Sequence, residues 1–298
     1  MNGTTTAALI GGAPNTTESL DGTTWTEVSD TTSSHRSGAS SGARDDCIVY
    51  GSDDGPGYIG NTEQWNGSSW TELNDLSTAR AYGGGTGSTP DSQTALSFGG
   101  STPSQTGATE EWGFPPVTQA KLKEGMIFLS AGTTLKGFGK AASVPSVAWA
   151  SGTNLPNPYT QDAGSGSSNT AALHFGGRES GSGETGKTQT YNGSTFTEVN
   201  DMNTARGYRV GGAGIQTAAL AFGGGSAPGT DYNETESWNG SSWTEVNNLN
   251  SARESLGGAG VTNTAAIAAG GYDTAVRAYT ETWDGTNWTE VSDLNTVN

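Results

Sequence analysis

The chain is poor in the side chains that build small reactive centres. It has one cysteine, Cys47, and two histidines, His35 and His174, in 298 residues. A single thiol forms no intrachain disulfide, and so few thiols and imidazoles argue against a His/Cys metal cluster. Basic residues are scarce too: 13 Lys plus Arg face 30 Asp plus Glu, for a formal net charge of −17. Nucleic acid is therefore not expected as a ligand, because phosphate binding draws its affinity from Lys and Arg. The same charge disfavours an anionic membrane surface. No apolar run reaches the roughly 18 residues of a membrane span. The stretch "MNGTTTAALIGG" has neither the basic nor the apolar region of a cleaved secretion signal, so none is expected.

What the chain does contain is glycine, at 47 positions, together with nine Trp, nine Tyr and seven Phe. Aromatic payloads of that size belong to a packed core rather than to a solvated linker. "WNGSSWTE" stands at 65–72 and again at 238–245. Related phrases are "LDGTTWTEV" from Leu20, "YNGSTFTEV" from Tyr191 and "WDGTNWTEV" from Trp283. A sixth copy is interrupted, with Trp112 in the first aromatic position and Trp149 in the second. These two lie 37 residues apart where the others lie five apart, so about 32 residues are inserted. Allowing for the insertion, the period is 45–47 residues, within the range of solenoids and propellers. The repeat aromatics are Trp25, Trp65, Trp70, Trp112, Trp149, Trp238, Trp243, Trp283 and Trp288, which is every tryptophan in the chain.

Upstream of each phrase stands a short apolar run stopped by small residues, such as "TALSFGG" ending at Gly100 and "AALAFGG" ending at Gly224. Such runs are too short for helices and read as buried strands. Asn-Gly or Asp-Gly inside the aromatic phrase predicts a hairpin with a type I′ turn, which has positive φ at both central residues. Gly-rich stretches such as "YRVGGAG" from Tyr208 supply one more strand. Four short antiparallel strands per 45–47 residues match a propeller blade, and six units predict an all-β, six-bladed β-propeller over residues 1–298. The first unit starts almost at its apolar run, so its innermost strand is expected to be missing.

Gly223-Gly224, Trp238, Trp243 and Arg253 stand at the landmarks of the kelch repeat, and Arg36, Arg80 and Arg206 fall where Arg253 does. The wording resembles more closely still a set of kelch-like proteins of tailed, especially marine, bacteriophages. "SSWTEVNNLNSAR" from Ser241, "GGAGIQTAALAFGGG" from Gly211 and "KEGMIFLSAGTTLKGFGKAA" from Lys123 carry that resemblance over nearly the whole chain. It implies a non-enzymatic virion structural protein, tail or tail-fibre associated, assembled in the bacterial cytoplasm and acting in assembly and host attachment. A glycan-binding host-recognition adhesin is the alternative, and a propeller-fold polysaccharide hydrolase a remote third.

Each recurring residue has a structural explanation beside a functional one. Glu18, Glu63, Glu110, Glu236 and Glu281 precede the first aromatic by two, and Glu27, Glu72, Glu198, Glu245 and Glu290 follow the second by two. Both sets are expected on a solvated face of outer strands rather than in a cation ring. The arginines are expected to pair with repeat carboxylates or loop carbonyls, and the tryptophans to pack hairpins. Tyr82, Tyr208 and Tyr272, on irregular segments, are the better candidates for glycan contact. Asp53 and Asp54 lack the regular spacing of a calcium loop. No cofactor is expected: a galactose-oxidase-type copper site needs His, Tyr and a Tyr-Cys crosslink, which two scattered histidines and one strand-borne cysteine cannot rebuild, and Glu254 is the only acid foreseen at a first-strand boundary. The insertion, 113–148, carries four lysines and reads as an apolar hairpin projecting from blade three. Lys123, Met126, Ile127, Phe128, Leu135, Lys136 and Phe138 are its candidate contacts to other virion proteins or to a second copy of the chain.

Overall fold

The computed structural model describes residues 1–11, 15–35, 37–55, 57–86, 92–113, 127–130, 134–137, 148–227 and 230–296. Arg36, Lys123, Met126 and Phe138 lie outside them. The described residues form no helix. Instead there are six four-stranded antiparallel sheets, each in simple sequential order, which make an all-β, propeller-like fold. In chain order the inner strands are Asn2–Thr4, Ala39–Ala43, Gly84–Gly85, Ala163–Ser168, Gly211–Ile215 and Gly257–Thr262. Each inner strand neighbours that of the next sheet, and Asn2–Thr4 neighbours both the second and the sixth.

The apolar runs are the second strands, as expected: Ala218–Phe222 and Ala265–Ala269 are examples, with Leu220, Ala221 and Phe222 wholly buried. They read as continuous apolar segments because both faces of such a sheet are covered, each by a neighbouring sheet. The Gly-Gly pair ending the run answers a backbone requirement. Gly223 and Gly224 have φ of +65° and +84°, and a Cβ on Gly223 would lie 2.7 Å from the Arg253 carbonyl oxygen. The connection between sheets five and six passes directly over it, and Gly224 N–H donates to that carbonyl at 3.1 Å.

Two expectations are corrected here. The first sheet does have an inner strand: Asn2–Thr4 pairs with Ala7–Gly11. The turns are four-residue loops, because Trp65 pairs directly with Trp70. Only the glycine, Gly67 at +91°, has positive φ. The asparagine acts through its side chain: Asn66 Oδ1 accepts the N–H groups of Ser68 and Ser69, each at 3.0 Å. Asp21, Asn192, Asn239 and Asp284 do the same in their loops. These bonds hold the exposed Asp21 and Asp284 carboxyls below their usual range.

In sheet three, Trp112 pairs with Trp149 and Gly113 with Ala148, so the insertion opens between the two outer strands. Within it, Ile127–Ser130 pairs antiparallel with Thr134–Gly137, the hairpin expected of the insertion.

Candidate functional site

The repeat residues meet at the seams between sheets. Glu236, on the third strand of sheet five, is fully buried. Its carboxylate accepts Asn203 N–H at 2.7 Å, Asn203 Nδ2 at 2.9 Å, Thr204 N–H at 3.1 Å and Arg206 Nη2 at 2.6 Å. All four donors belong to the connection from sheet four, and Arg206 is itself fully buried. Arg253 meets Glu281 at 2.5 Å, and Arg80 meets Glu110, with the same backbone donors from Asn250 and Ser77. Glu63 is capped by Thr32 and Ser33 N–H at 2.8 and 2.9 Å and by His35 Nε2 at 3.2 Å. Glu18 is capped by the N–H groups of Asn295 and Thr296, which join sheet six to sheet one.

The first set of glutamates is therefore buried, against the expectation of a solvated face. The second set is exposed. Glu63 and Glu72 are cross-strand partners, as are Glu236 and Glu245, so each pair shares one sheet face. The third strand lies under the neighbouring connection, whereas the fourth lies at the rim beyond its cover. One seam departs from the pattern. Sheet four has Gln189 in place of the glutamate, and the preceding connection has Tyr159 in place of the arginine; Gln189 Nε2 bonds Tyr159 Oη at 3.3 Å, and both are fully buried.

The tryptophans divide by position. The first of each pair points back over the inner hairpin: Trp238 Nε1 donates to Gln216 O and Trp283 Nε1 to Asn263 O, each at 3.0 Å. The second wedges against the preceding sheet. Trp243 Nε1 donates to Thr188 Oγ1 at 2.9 Å over Phe175, Trp288 Nε1 to Thr235 Oγ1 at 3.0 Å over Phe222, and Trp149 Nε1 to Thr62 Oγ1 at 3.1 Å over Tyr50. Trp25, Trp65 and Trp112 are buried and Trp70 is half-buried.

A central cavity of about 480 Å³ is lined from all six sheets. Around it runs a chain of backbone bonds from sheet to sheet. Tyr82 N–H donates to Ser37 O, Gln161 N–H to Tyr82 O, Arg209 N–H to Gln161 O and Ser255 N–H to Tyr208 O, at 2.7–3.2 Å. To reach these carbonyls Tyr82, Gln161, Tyr208, Arg209 and Ser255 adopt φ between 53° and 62°, the left-handed region that non-glycine residues enter at a cost of roughly 1–3 kcal/mol. Arg209 extends across the cavity. Its Nη2 donates to Ser37 Oγ at 2.8 Å and its guanidinium lies 4.6 Å from the Tyr82 ring centroid. Tyr82 Oη donates to Asp53 Oδ2 at 2.5 Å. Burial and Asp53 push the Tyr82 hydroxyl up, and burial with Asp231 pushes the Glu254 carboxyl up.

Of the three tyrosines singled out in the sequence, Tyr82 and Tyr272 line this cavity and Tyr208 does not; it lies 5.4 Å beneath the Arg178 guanidinium. Asp162, missed in the sequence, is a second acid at a first-strand boundary. It lines the cavity, lies 3.0 Å from His174 Nε2, and has its carboxyl pushed up by burial against the opposing effect of His174. Its position just before "AGSGSS" was the available signal. Cys47 is fully buried, with its thiol pushed up to about 12 by burial. Among the described residues no group of three or more His, Cys, Asp or Glu could hold a metal ion, and no helix is long and apolar enough to cross a membrane.

No family model matches the chain, and no curated protein matches it. Among solved structures, that of YjhT superposes with a TM-score of 0.67, covering 96% of this chain and 95% of that chain at 11% identity. An identity that low shows the fold alone.

Proposed function

We propose that the six sheets are blades of a closed six-bladed kelch-like β-propeller, a single domain over 1–298 with the 113–148 insertion projecting from the third blade. We further propose that it is a non-enzymatic structural component of a tailed-phage particle, at the tail or fibre, acting in assembly and host attachment. The observation that carries this is the use made of the recurring reactive side chains. Buried Glu, Arg and Trp, the groups from which a catalyst would be built, are bonded into the seams, and the one thiol is held neutral. The phage-like wording over nearly the whole chain supports the particle, and the hairpin in the one opened blade supports docking to other virion proteins or to a second copy.

Replacing 113–148 by Asn-Gly-Ser-Ser, the loop that the second and fifth sheets already use, is expected to leave a folded propeller that no longer enters particles. Normal incorporation of that variant refutes the docking role. A second reading, the glycan-binding adhesin, is favoured by the convergence of Tyr82 and Tyr272 on the central cavity.

A further inference from the structure

At two seams the connection between sheets delivers an arginine to two acceptors of the next sheet. Arg253 donates Nε to Gly270 O at 3.1 Å and Nη1 to Glu281, and Arg80 reaches Gly99 O and Glu110 in the same way. Gly99 and Gly270 close the apolar runs of their sheets with φ of +66° and +67°, and Gly51 stands at the same place in sheet two with +61°. Between sheets one and two the group that meets the equivalent pair of acceptors is His35, one residue before the Arg36 that the repeat led us to expect. Its Nδ1 lies 3.1 Å from Gly51 O and its Nε2 3.2 Å from Glu63 Oε1.

A carbonyl oxygen and a carboxylate oxygen can only accept. A neutral imidazole, with one N–H and one lone pair, would set that lone pair against an oxygen; the imidazolium has two N–H groups and satisfies both. The two side chains are buried, so water does not relieve a mismatch there. His174 is placed otherwise: its Nε2 lies 3.0 Å from Asp162 Oδ2, and its Nδ1 has no hydrogen-bond partner among the described residues. His35 borders the central cavity, which Arg80, Arg206 and Arg253 do not, so a proton has a route to it. Glu63 favours the second proton at contact distance. Arg209, which bonds Ser37, and the Met1 ammonium, itself pushed down by burial, oppose it across the cavity. The other titratable groups among the described lining residues are Tyr82, bonded to Asp53, Asp162 and Tyr272.

We propose that His35 takes the place of the seam arginine as a cation whose proton can be removed, which makes the joint between sheets one and two a pH-sensitive latch. An arginine keeps its charge at any pH the fold meets, whereas an imidazole changes charge near neutrality. Above about 6.5 an unfolded imidazole is mostly neutral. The folded chain then holds a proton that the unfolded chain lacks. The stability supplied by His35 is therefore complete below that value and is lost as the pH rises through the range in which the folded imidazole gives up its proton. Acid attacks the same joint from the other side, through Glu63. The joint is tightest between the two, and it is independent of what the molecule attaches to.

Two measurements on the full chain test this. Imidazole nitrogen NMR on histidine-labelled protein reads the protonation of each ring. The chain has two histidines, so either His35→Gln or His174→Gln assigns the signals, whichever variant folds. At pH about 7, where a free imidazole is mostly neutral, the His35 ring is expected to be mostly doubly protonated; a mostly neutral ring overturns the proposal. Urea unfolding of the wild type and of His35→Gln between pH about 6 and about 9 reads the latch itself. The ratio of their unfolding constants cancels the titration of the Met1 ammonium and of His174, which both proteins share. That ratio is expected to shrink roughly tenfold as the pH rises, and a change of less than about threefold overturns the proposal.

Discussion

Replacing Glu236 by Gln tests the seam most directly. The carboxylate accepts four N–H bonds at 2.6–3.1 Å from a single connection, one of them from a fully buried guanidinium. Burial weighs against the charged form of Arg206, and Glu236 opposes that. Glu236→Gln leaves the guanidinium without its anion, at about 3 kcal/mol, and an amide with one oxygen abandons a backbone N–H, at about 1 kcal/mol. Arg206→Met leaves the carboxylate its three remaining donors, and costs about 2 kcal/mol. With both changes no buried charge is stranded, and the loss is about 3 kcal/mol rather than the roughly 6 kcal/mol of independent effects. Urea unfolding followed by tryptophan fluorescence measures all three variants, with urea chosen because it does not screen charge. A double variant whose loss equals the two single losses to within about 0.5 kcal/mol refutes the coupling.

Other consequences follow from the same geometry. Asn239→Ala removes two hydrogen bonds that close its loop and should cost about 1 kcal/mol, whereas Asn239→Asp should be near neutral because Asp284 does the same work in sheet six; thermal unfolding distinguishes them. Gly223→Ala places a methyl 2.7 Å from a carbonyl oxygen at φ +65° and should cost about 2 kcal/mol or more by the same assay. Burial alone would push the Glu63 carboxyl up, but His35 and the N–H groups of Thr32 and Ser33 outweigh it, so it sits below the ordinary 4.5. Its contribution is therefore complete above that value and lost as pH falls further, and Glu63→Gln should flatten the acid limb of a stability–pH curve.

Much of the fold was legible because the repeat carries its signals locally. Apolar runs stopped by Gly-Gly map to the second strand, Gly-rich leads to the inner one, and paired aromatics to the two outer strands. The inner strand of the first sheet escaped notice because Asn2–Thr4 is three residues long and has only one glycine. The turn was misread because Asn-Gly signals two kinds of loop. The pairing of Trp65 with Trp70, which leaves four residues between them, is a property of register. The burial of Glu63 beside the exposure of Glu72 was illegible for a deeper reason. The two share a face by parity, and only the path of the neighbouring connection decides which is covered. The central cavity draws Tyr82 and Tyr272 together across 190 residues, a distance that no local pattern encodes.

The seam between sheets three and four joins Gln189 to Tyr159, where the other five described seams each use a glutamate. A carboxylate is a joint that protons can undo; an amide and a phenol are not. Acid should therefore loosen the seam between sheets one and two, where the Glu63 carboxyl sits below its ordinary value, and spare the one at Gln189. Near Gln189 and Tyr159, Asp162, with its carboxyl pushed up by burial, is relieved as it takes up a proton. The joint between sheets three and four should thus outlast the one between sheets one and two as the medium turns acidic, which gives an otherwise repetitive fold an order to its dismantling.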